Sequence, residues 1–241
     1  MSIAFQASLF DVPDAPATFG ELSGMRRIEL GAGAWVDVLP GWAKDSDGLF
    51  QRLVETVPWR ADRREMYDRV VDVPRLVSSY GDGDPLPDPA LTEARVALNR
   101  YYRAGRLDEF ATAGLCFYRN GNDSVAWHGD YVARDSMNDT RIGILSLGSP
   151  RSLAIRPKGG GEVMRFPVGH GDLLVMGGSC QRTHEHAVLK TAKAVGPRVS
   201  VQFRPAYARA GTLERRPGGF TYGRPVVGFR ATSGPSDRVD G

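Results

Sequence analysis

Four histidines, His128, His170, His184 and His186, are the only imidazoles in the chain, so a histidine-based metal site must draw on them. His128 and Asp130 form a His-x-Asp pair. Residues i and i+2 of a strand share a face, so such a pair can turn an imidazole and a carboxylate toward one cation. A later histidine would complete the two-histidine, one-carboxylate set of non-haem Fe(II) sites, which leaves positions open for co-substrate and oxygen. The His-Glu-His run offers His186, the preferred ligand, and His184, the alternative, about 6.5–7 Å apart at Cα if both lie on one strand face. A zinc site of His128, His184 and His186, hydrolytic or structural, is the competing metal reading. His170 lies in a Gly-His-Gly-Asp turn, where a structural histidine and a capping Asp172 are expected.

The run Arg198-Val-Ser-Val-Gln-Phe-Arg204 alternates, placing Arg198, Ser200, Gln202 and Arg204 on one face and Val199, Val201 and Phe203 on the other. A buried guanidinium is costly without an anionic partner, so an inward arginine face implies a carboxylate ligand or an internal salt bridge.

The elements that position these groups fall into two halves. Leu49, Phe50, Leu53, Val54 and Val57 recur at helical spacing and predict a helix from Gly48 to Val57, ended by Pro58-Trp59. A second helix opens with Asp88 as N-cap and Pro89 at its first position and runs through Leu91, Ala94, Leu98 and Tyr101. Between them, 60–87 is charged and then Gly/Pro/Asp-rich, and reads as an exposed loop system with one hairpin. From Leu115 onward, short β-prone runs separated by Gly, Pro and Asn turns predict a sandwich or barrel instead of a parallel sheet with crossover helices. The KGGGE stretch at 158–162 reads as a hairpin loop and lacks the phosphate-loop pattern, which excludes a nucleoside-triphosphate site of that kind.

The 241 residues suffice for one domain with a real core. No apolar run approaches the ~18–20 residues of a membrane span, and the N-terminus lacks the pattern of a secretory signal, so a cytoplasmic protein without membrane association is expected. Cys116 and Cys180 are the only cysteines and form no Cys-x-x-Cys pair, which argues against a disulfide framework and a cysteine zinc site. The net charge is +3, yet only four of the 31 basic residues are lysines, and eight arginines face three acids from Arg198 to the end. Arginine forks suit carboxylate and phosphate. Arg60, Arg63, Arg64, Arg69 and Arg75 are interleaved with Asp62, Glu65, Asp68 and Asp72, a solvated face or, in the base-recognition lid that the family resemblance described next implies, a nucleic-acid contact with Arg75 on phosphate and Tyr67 and Trp127 as aromatics.

The chain resembles the AlkB-type Fe(II)/2-oxoglutarate-dependent dioxygenases that repair alkylated nucleic-acid bases. The resemblance rests on PWR at 58–60, VPRLVSSYGD at 73–82, FYRNGNDSVAWHGD at 117–130, ILSLGSPR at 144–151, GHGDLLVMGG at 169–178, EHAVLK at 185–190 and the R-x-S-x-x-x-R strand. It implies an α+β fold: a double-stranded β-helix (jelly-roll) core at 111–206, with N-terminal helices and a base-recognition lid at 55–110. The whole would form a single dioxygenase domain at 21–230 between flexible segments at 1–20 and 231–241. It also implies that His128, Asp130 and His186 hold Fe(II), that Tyr118, Arg198 and Arg204 hold 2-oxoglutarate, and that O2 is consumed. The implied activity is oxidative dealkylation of N-alkylated bases by a monomer, in DNA and preferably single-stranded DNA, with RNA, protein or small-molecule substrates as alternatives. Cys116 stands where many members carry asparagine, and GDPLPDP follows SSYGD where many carry an aromatic segment.

Overall fold

The computed structural model describes residues 17–66, 69–105, 107–130 and 139–206, with only the backbone at 62–66 and 69–73. In chain order the elements are β1 (Thr18–Phe19), β2 (Arg26–Gly31), β3 (Ala34–Leu39), β4 (Ala43–Lys44), α1 (Asp47–Thr56), β5 (Arg60–Met66), β6 (Arg69–Tyr80) and α2 (Pro89–Tyr102). There follow β7 (Phe110–Tyr118), β8 (Val125–His128), β9 (Ile142–Gly148), β10 (Arg151–Pro157), β11 (Met164–Val168), β12 (Asp172–Gly178), α3 (Cys180–Thr183), β13 (His184–Val188) and β14 (Arg198–Pro205).

The strands build a major sheet in the order β2-β3-β12-β9-β14-β7-β6-β5 and a minor sheet in the order β11-β10-β13-β8, with β1 and β4 forming a small ribbon. Every pairing among the described residues is antiparallel. The expected double-stranded β-helix is therefore the architecture of the core. The KGGGE stretch does link β10 to β11, and its glycines at 159–161 all have positive φ (85°, 102° and 130°), which a side chain would resist.

Alternation along β14 divides the interior in two. Val199, Val201 and Phe203 join a core formed with α1 and α2, where Leu49, Leu53, Leu91 and Leu98 are fully buried. The opposite face of β14 meets the space between the sheets, where Ile144, Leu153, Ile155 and Leu174 form the second core. Both helices lie within a residue of their predicted bounds because their apolar spacing reports the face they bury.

Two expectations are corrected. The hairpin expected after Pro58 is present, but it replaces most of the expected loops: β5–β6 is long, and its second strand extends the major sheet by pairing Leu76–Tyr80 with 113–117. Its Val-rich alternation outweighs the charges that suggested loops. Residues 17–20, assigned to a flexible segment, are packed: Ala17 is buried, Thr18–Phe19 pairs with Ala43–Lys44, and the Trp42 indole donates to the Gly20 carbonyl.

Asp88 caps α2 by accepting from Ala90 N at 2.9 Å and also takes Arg52 Nε at 2.8 Å. Arg52 is well exposed, so most of the effect lies in the cap. Asp88→Ala is expected to destabilise the fold by about 1 kcal/mol and lower Tm by roughly 2–4 °C, measured by thermal denaturation.

Candidate metal and co-substrate site

β8 and β13 pair so that His128 stands directly opposite His186, and the two ring centroids are 4.2 Å apart. Asp130 lies just beyond the end of β8, with Oδ1 3.6 Å from His128 Nε2. One ligand atom from each of His128, Asp130 and His186 lies within 4.8 Å of the others, the grouping expected from the His-x-Asp pair and a later histidine. His128 Nδ1 is 2.8 Å from the Ala126 carbonyl, which can only accept, so the proton sits on Nδ1 and Nε2 offers its lone pair to a metal.

Asp130 is held from two sides. Its backbone N–H donates to Gln181 Oε1 at 2.9 Å, and its Oδ2 accepts from Arg204 Nη2 at 3.0 Å and Nε at 3.2 Å. Burial would raise the Asp130 carboxyl, but Arg204 and the two imidazoles outweigh it and hold the group well below the usual carboxylate range. Burial pushes His186 down to about 3, the His128 ring adds to that shift, and Asp130 opposes it. An ionised carboxylate and a neutral imidazole are the forms that ligate a cation.

The inward face of β14 continues from Arg204 through Gln202 and Ser200 to Arg198, and all four line one cavity with the triad. Arg198 pairs across the sheet with Tyr118, hydrogen-bonds to it, and donates Nε to Ser146 Oγ at 2.9 Å. Its Nη1 is buried with no partner. Arg75, Arg198 and Arg204 line this cavity against one carboxylate, Asp130, among its described lining residues. A buried guanidinium nitrogen without an acceptor, in a cavity rich in cations, is the arrangement that an incoming carboxylate completes.

Several expected residues sit elsewhere. Arg204, expected to hold the co-substrate, lines the triad's cavity and there makes the internal salt bridge that was the other way to satisfy an inward arginine, with Nε and Nη2 on Asp130. Arg75 is not a surface phosphate contact: it is 4% exposed, with Nε 3.4 Å from Cys116 Sγ and Nη1 3.3 Å from the Ser124 carbonyl. Trp127 does not line the cavity: the register of β8 against β13 shifts between Val125 and His128, both of which face the cavity, and the Arg156 guanidinium lies 4.1 Å above the Trp127 ring. Tyr67 lies outside the described residues. His184 caps α3, and its Nδ1 meets Thr183 Oγ1 at 2.8 Å. It does not join the triad, so the three-histidine zinc set is not assembled. His170 is structural as expected: Nδ1 accepts from Gly148 N and Nε2 meets Ser46 Oγ, while Asp172 accepts from Gly169 N and Gly41 N. Gln181 escaped the sequence reading because nothing local links it to a residue 51 positions away. Ser146 carried a faint signal, a lone hydroxyl in the apolar IGILSLG run.

A profile for the 2OG-Fe(II) oxygenase superfamily matches residues 36–209. The chain belongs to that superfamily. Among curated relatives, it is 31% identical over 210 residues to the alpha-ketoglutarate-dependent dioxygenase alkB homolog 3 of Homo sapiens, covering 77% of this chain and 68% of that one. The Bos taurus protein of the same name is 29% identical over 193 residues, with 71% and 66% covered. The chain thus spans about two thirds of the length of these relatives. This makes it an AlkB-type oxygenase. The solved structure of OsALKBH1 shares the fold, with a TM-score of 0.52 at 14% identity over 75% of this chain and 100% of that one. The superfamily's groups are Fe(II), 2-oxoglutarate and O2, and the oxygenase fits them. The His-Asp-His donor set suits Fe(II) with positions left open, and the orphaned Arg198 nitrogen suits a carboxylate. No described helix is long and apolar enough to cross a membrane.

Acidification should destabilise the chelator-treated oxygenase. An unfolded chain protonates histidine near 6.5, whereas folded His186 resists protonation down to about 3, and the Asp130 shift has the same sign at lower pH. The unfolded state binds more protons in this window, so stability falls as pH drops from about 6.5 toward about 3. Tm measured against pH should decline across this window in wild type and decline less in His186→Gln.

Proposed function

We propose that the protein is an Fe(II)- and 2-oxoglutarate-dependent dioxygenase that removes N-alkyl groups from bases in nucleic acid, DNA in preference to RNA and single strands in preference to duplex, acting as a monomer. The observation that carries this reading is the buried, unpartnered Nη1 of Arg198 in the same cavity as the His128, Asp130 and His186 ligand atoms. When bound, Fe(II) with 2-oxoglutarate supplies oxidative chemistry: O2 gives one oxygen to succinate as CO2 leaves, the other hydroxylates the alkyl carbon, and that carbon departs as an aldehyde with the N–H restored.

The chain's own side chains set the stage for it. His128, Asp130 and His186 hold the metal, and Arg204 keeps the Asp130 carboxylate ionised and oriented. Arg198 and the Tyr118 hydroxyl would hold a carboxylate of the co-substrate, and Ser146, 2.9 Å from Arg198 Nε, orients the Arg198 fork. Ile144, Leu153, Leu174 and Val188 wall the same cavity and keep bulk water from the reacting centre. The arginine excess of the chain favours a polyanionic substrate and a binding strength that falls as salt rises.

Three measurements test the reading. Succinate and formaldehyde should form together when the Fe(II) protein meets methylated single-stranded oligonucleotides, and a wild-type protein that no oligonucleotide stimulates would refute the nucleic-acid substrate. Arg198→Lys keeps the charge and loses the fork, so 2-oxoglutarate affinity should fall by roughly 10–100-fold in anaerobic titration. His128→Ala, Asp130→Ala and His186→Ala should each abolish turnover, while His184→Ala keeps most of it.

A further inference from the structure

Cys116 is the centre of a polar cluster that neither the metal ligands nor the co-substrate contacts account for. On β7 it stands opposite Ser200 of β14 on one side and Val77 of β6 on the other. Arg198 and Gln202 are therefore its diagonal neighbours across β14, and Arg75 is its diagonal neighbour across β6, a separation of about 7–8 Å that long side chains bridge. The contacts follow that pattern. Arg75 donates Nε to Cys116 Sγ at 3.4 Å, and the thiol donates to Gln202 Oε1 at 3.7 Å. Cys116 is also among the groups that act electrostatically on Arg198, whose Nη1 is buried with no partner among the described residues. Cys116 lines both the triad's cavity and a groove formed along β6 and β7 by Ser79 and Gly114. Ser79 is exposed, so the groove gives a small solute a route to the sulfur.

We propose that Cys116 is an oxidation site, at which hydrogen peroxide leaves a sulfenic acid whose oxygen competes with the co-substrate carboxylate for Arg198. The competition rests on the assignment of Arg198 to that carboxylate, whereas the oxidation rests on the surroundings of the cysteine alone. The sulfur attacks one peroxide oxygen, and the O–O bond breaks as an S–O bond forms. The second oxygen leaves as water with the thiol proton, so sulfur gives up the two electrons that the peroxide gains. An electropositive setting suits a reactive sulfur, and Arg75 supplies a guanidinium N–H at contact distance. The added oxygen stands on the face that Cys116 shares with Tyr118 and Arg198, and it offers Arg198 Nη1 the acceptor that nitrogen lacks. Cys180 is the contrasting thiol: it lies in the apolar second core, and burial pushes it up to about 12. Peroxide therefore discriminates between the two cysteines. A thiol reductant returns a sulfenic acid to the thiol, which makes the block reversible.

The experiment treats the chelated full chain with hydrogen peroxide before any Fe(II) is added. Peptide mass spectrometry locates the added oxygen, and a dimedone adduct identifies it as sulfenic acid. The desalted protein is then loaded with Fe(II) for anaerobic titration of 2-oxoglutarate. Expected are an oxygen on Cys116 and none on Cys180, a fall in 2-oxoglutarate affinity of at least about 10-fold, and recovery after dithiothreitol. Cys116→Ser and Cys116→Ala should each keep after peroxide the affinity they show before it, and either variant decides the comparison if the other fails to fold. Cys180→Ser should respond as wild type does. An unoxidised Cys116 overturns the site. An oxidised Cys116 with unchanged affinity, or an equal fall in the Cys116 variants, overturns the competition. Untreated Arg198→Lys that binds 2-oxoglutarate as wild type does overturns the Arg198 assignment and the competition with it, while the oxygen on Cys116 is read without any ligand and stands or falls by itself.

Discussion

β14 is buried along its entire length on both faces, and the rest of the structure follows from the unequal chemistry of those faces. Val199, Val201 and Phe203 can be covered only by the apolar stripes of α1 and α2, which fixes the helical layer on one side of the major sheet. Arg198 and Arg204 cannot be covered by hydrocarbon at all, because a desolvated guanidinium needs an acceptor. Beside the apolar second core the sheets therefore leave a cavity over these arginines, and Asp130 is drawn onto Arg204.

That ion pair joins the two sheets at the point where a metal would bind. Both side chains are nearly fully buried, and losing one partner of such a pair leaves an uncompensated charge, a penalty of about 3–5 kcal/mol. Asp130 thus owes its ionised state to Arg204 and its position to both Arg204 and Gln181. Arg198, at the other end of the strand, keeps one buried nitrogen unsatisfied, an arrangement that a carboxylate would complete. One strand thus carries two arginines in unlike states, Arg204 ion-paired with Asp130 and Arg198 with a nitrogen left over.

Much of this was legible in local sequence wherever a period or an adjacent pair reports the geometry. The period of β14 separated its faces, the apolar spacing marked α1 and α2, and the His-x-Asp pair announced convergent ligands. Trp127 shows the limit of reading residue type alone, since the register of β8 shifts beside it and its ring lies under the Arg156 guanidinium and not in the cavity. Arg75 failed for another reason. It sits among charges that suggest a solvated lid, yet β6 joins the major sheet and carries it inward against Cys116.

The sequence by itself determined the class of the core, the two helices, the inward arginine face and the convergence of His128 with Asp130, because each depends on residues within a few positions of one another. Only the tertiary structure decided that His186, and not His184, stands opposite His128, that Arg204 belongs to Asp130, and that Arg75 is buried. The register of β13 against β8 sets the first, and strand pairings between positions far apart in the chain set the others. Period and spacing report which face a side chain takes, but the partner waiting on that face is chosen by the register of a distant strand, which no local pattern encodes.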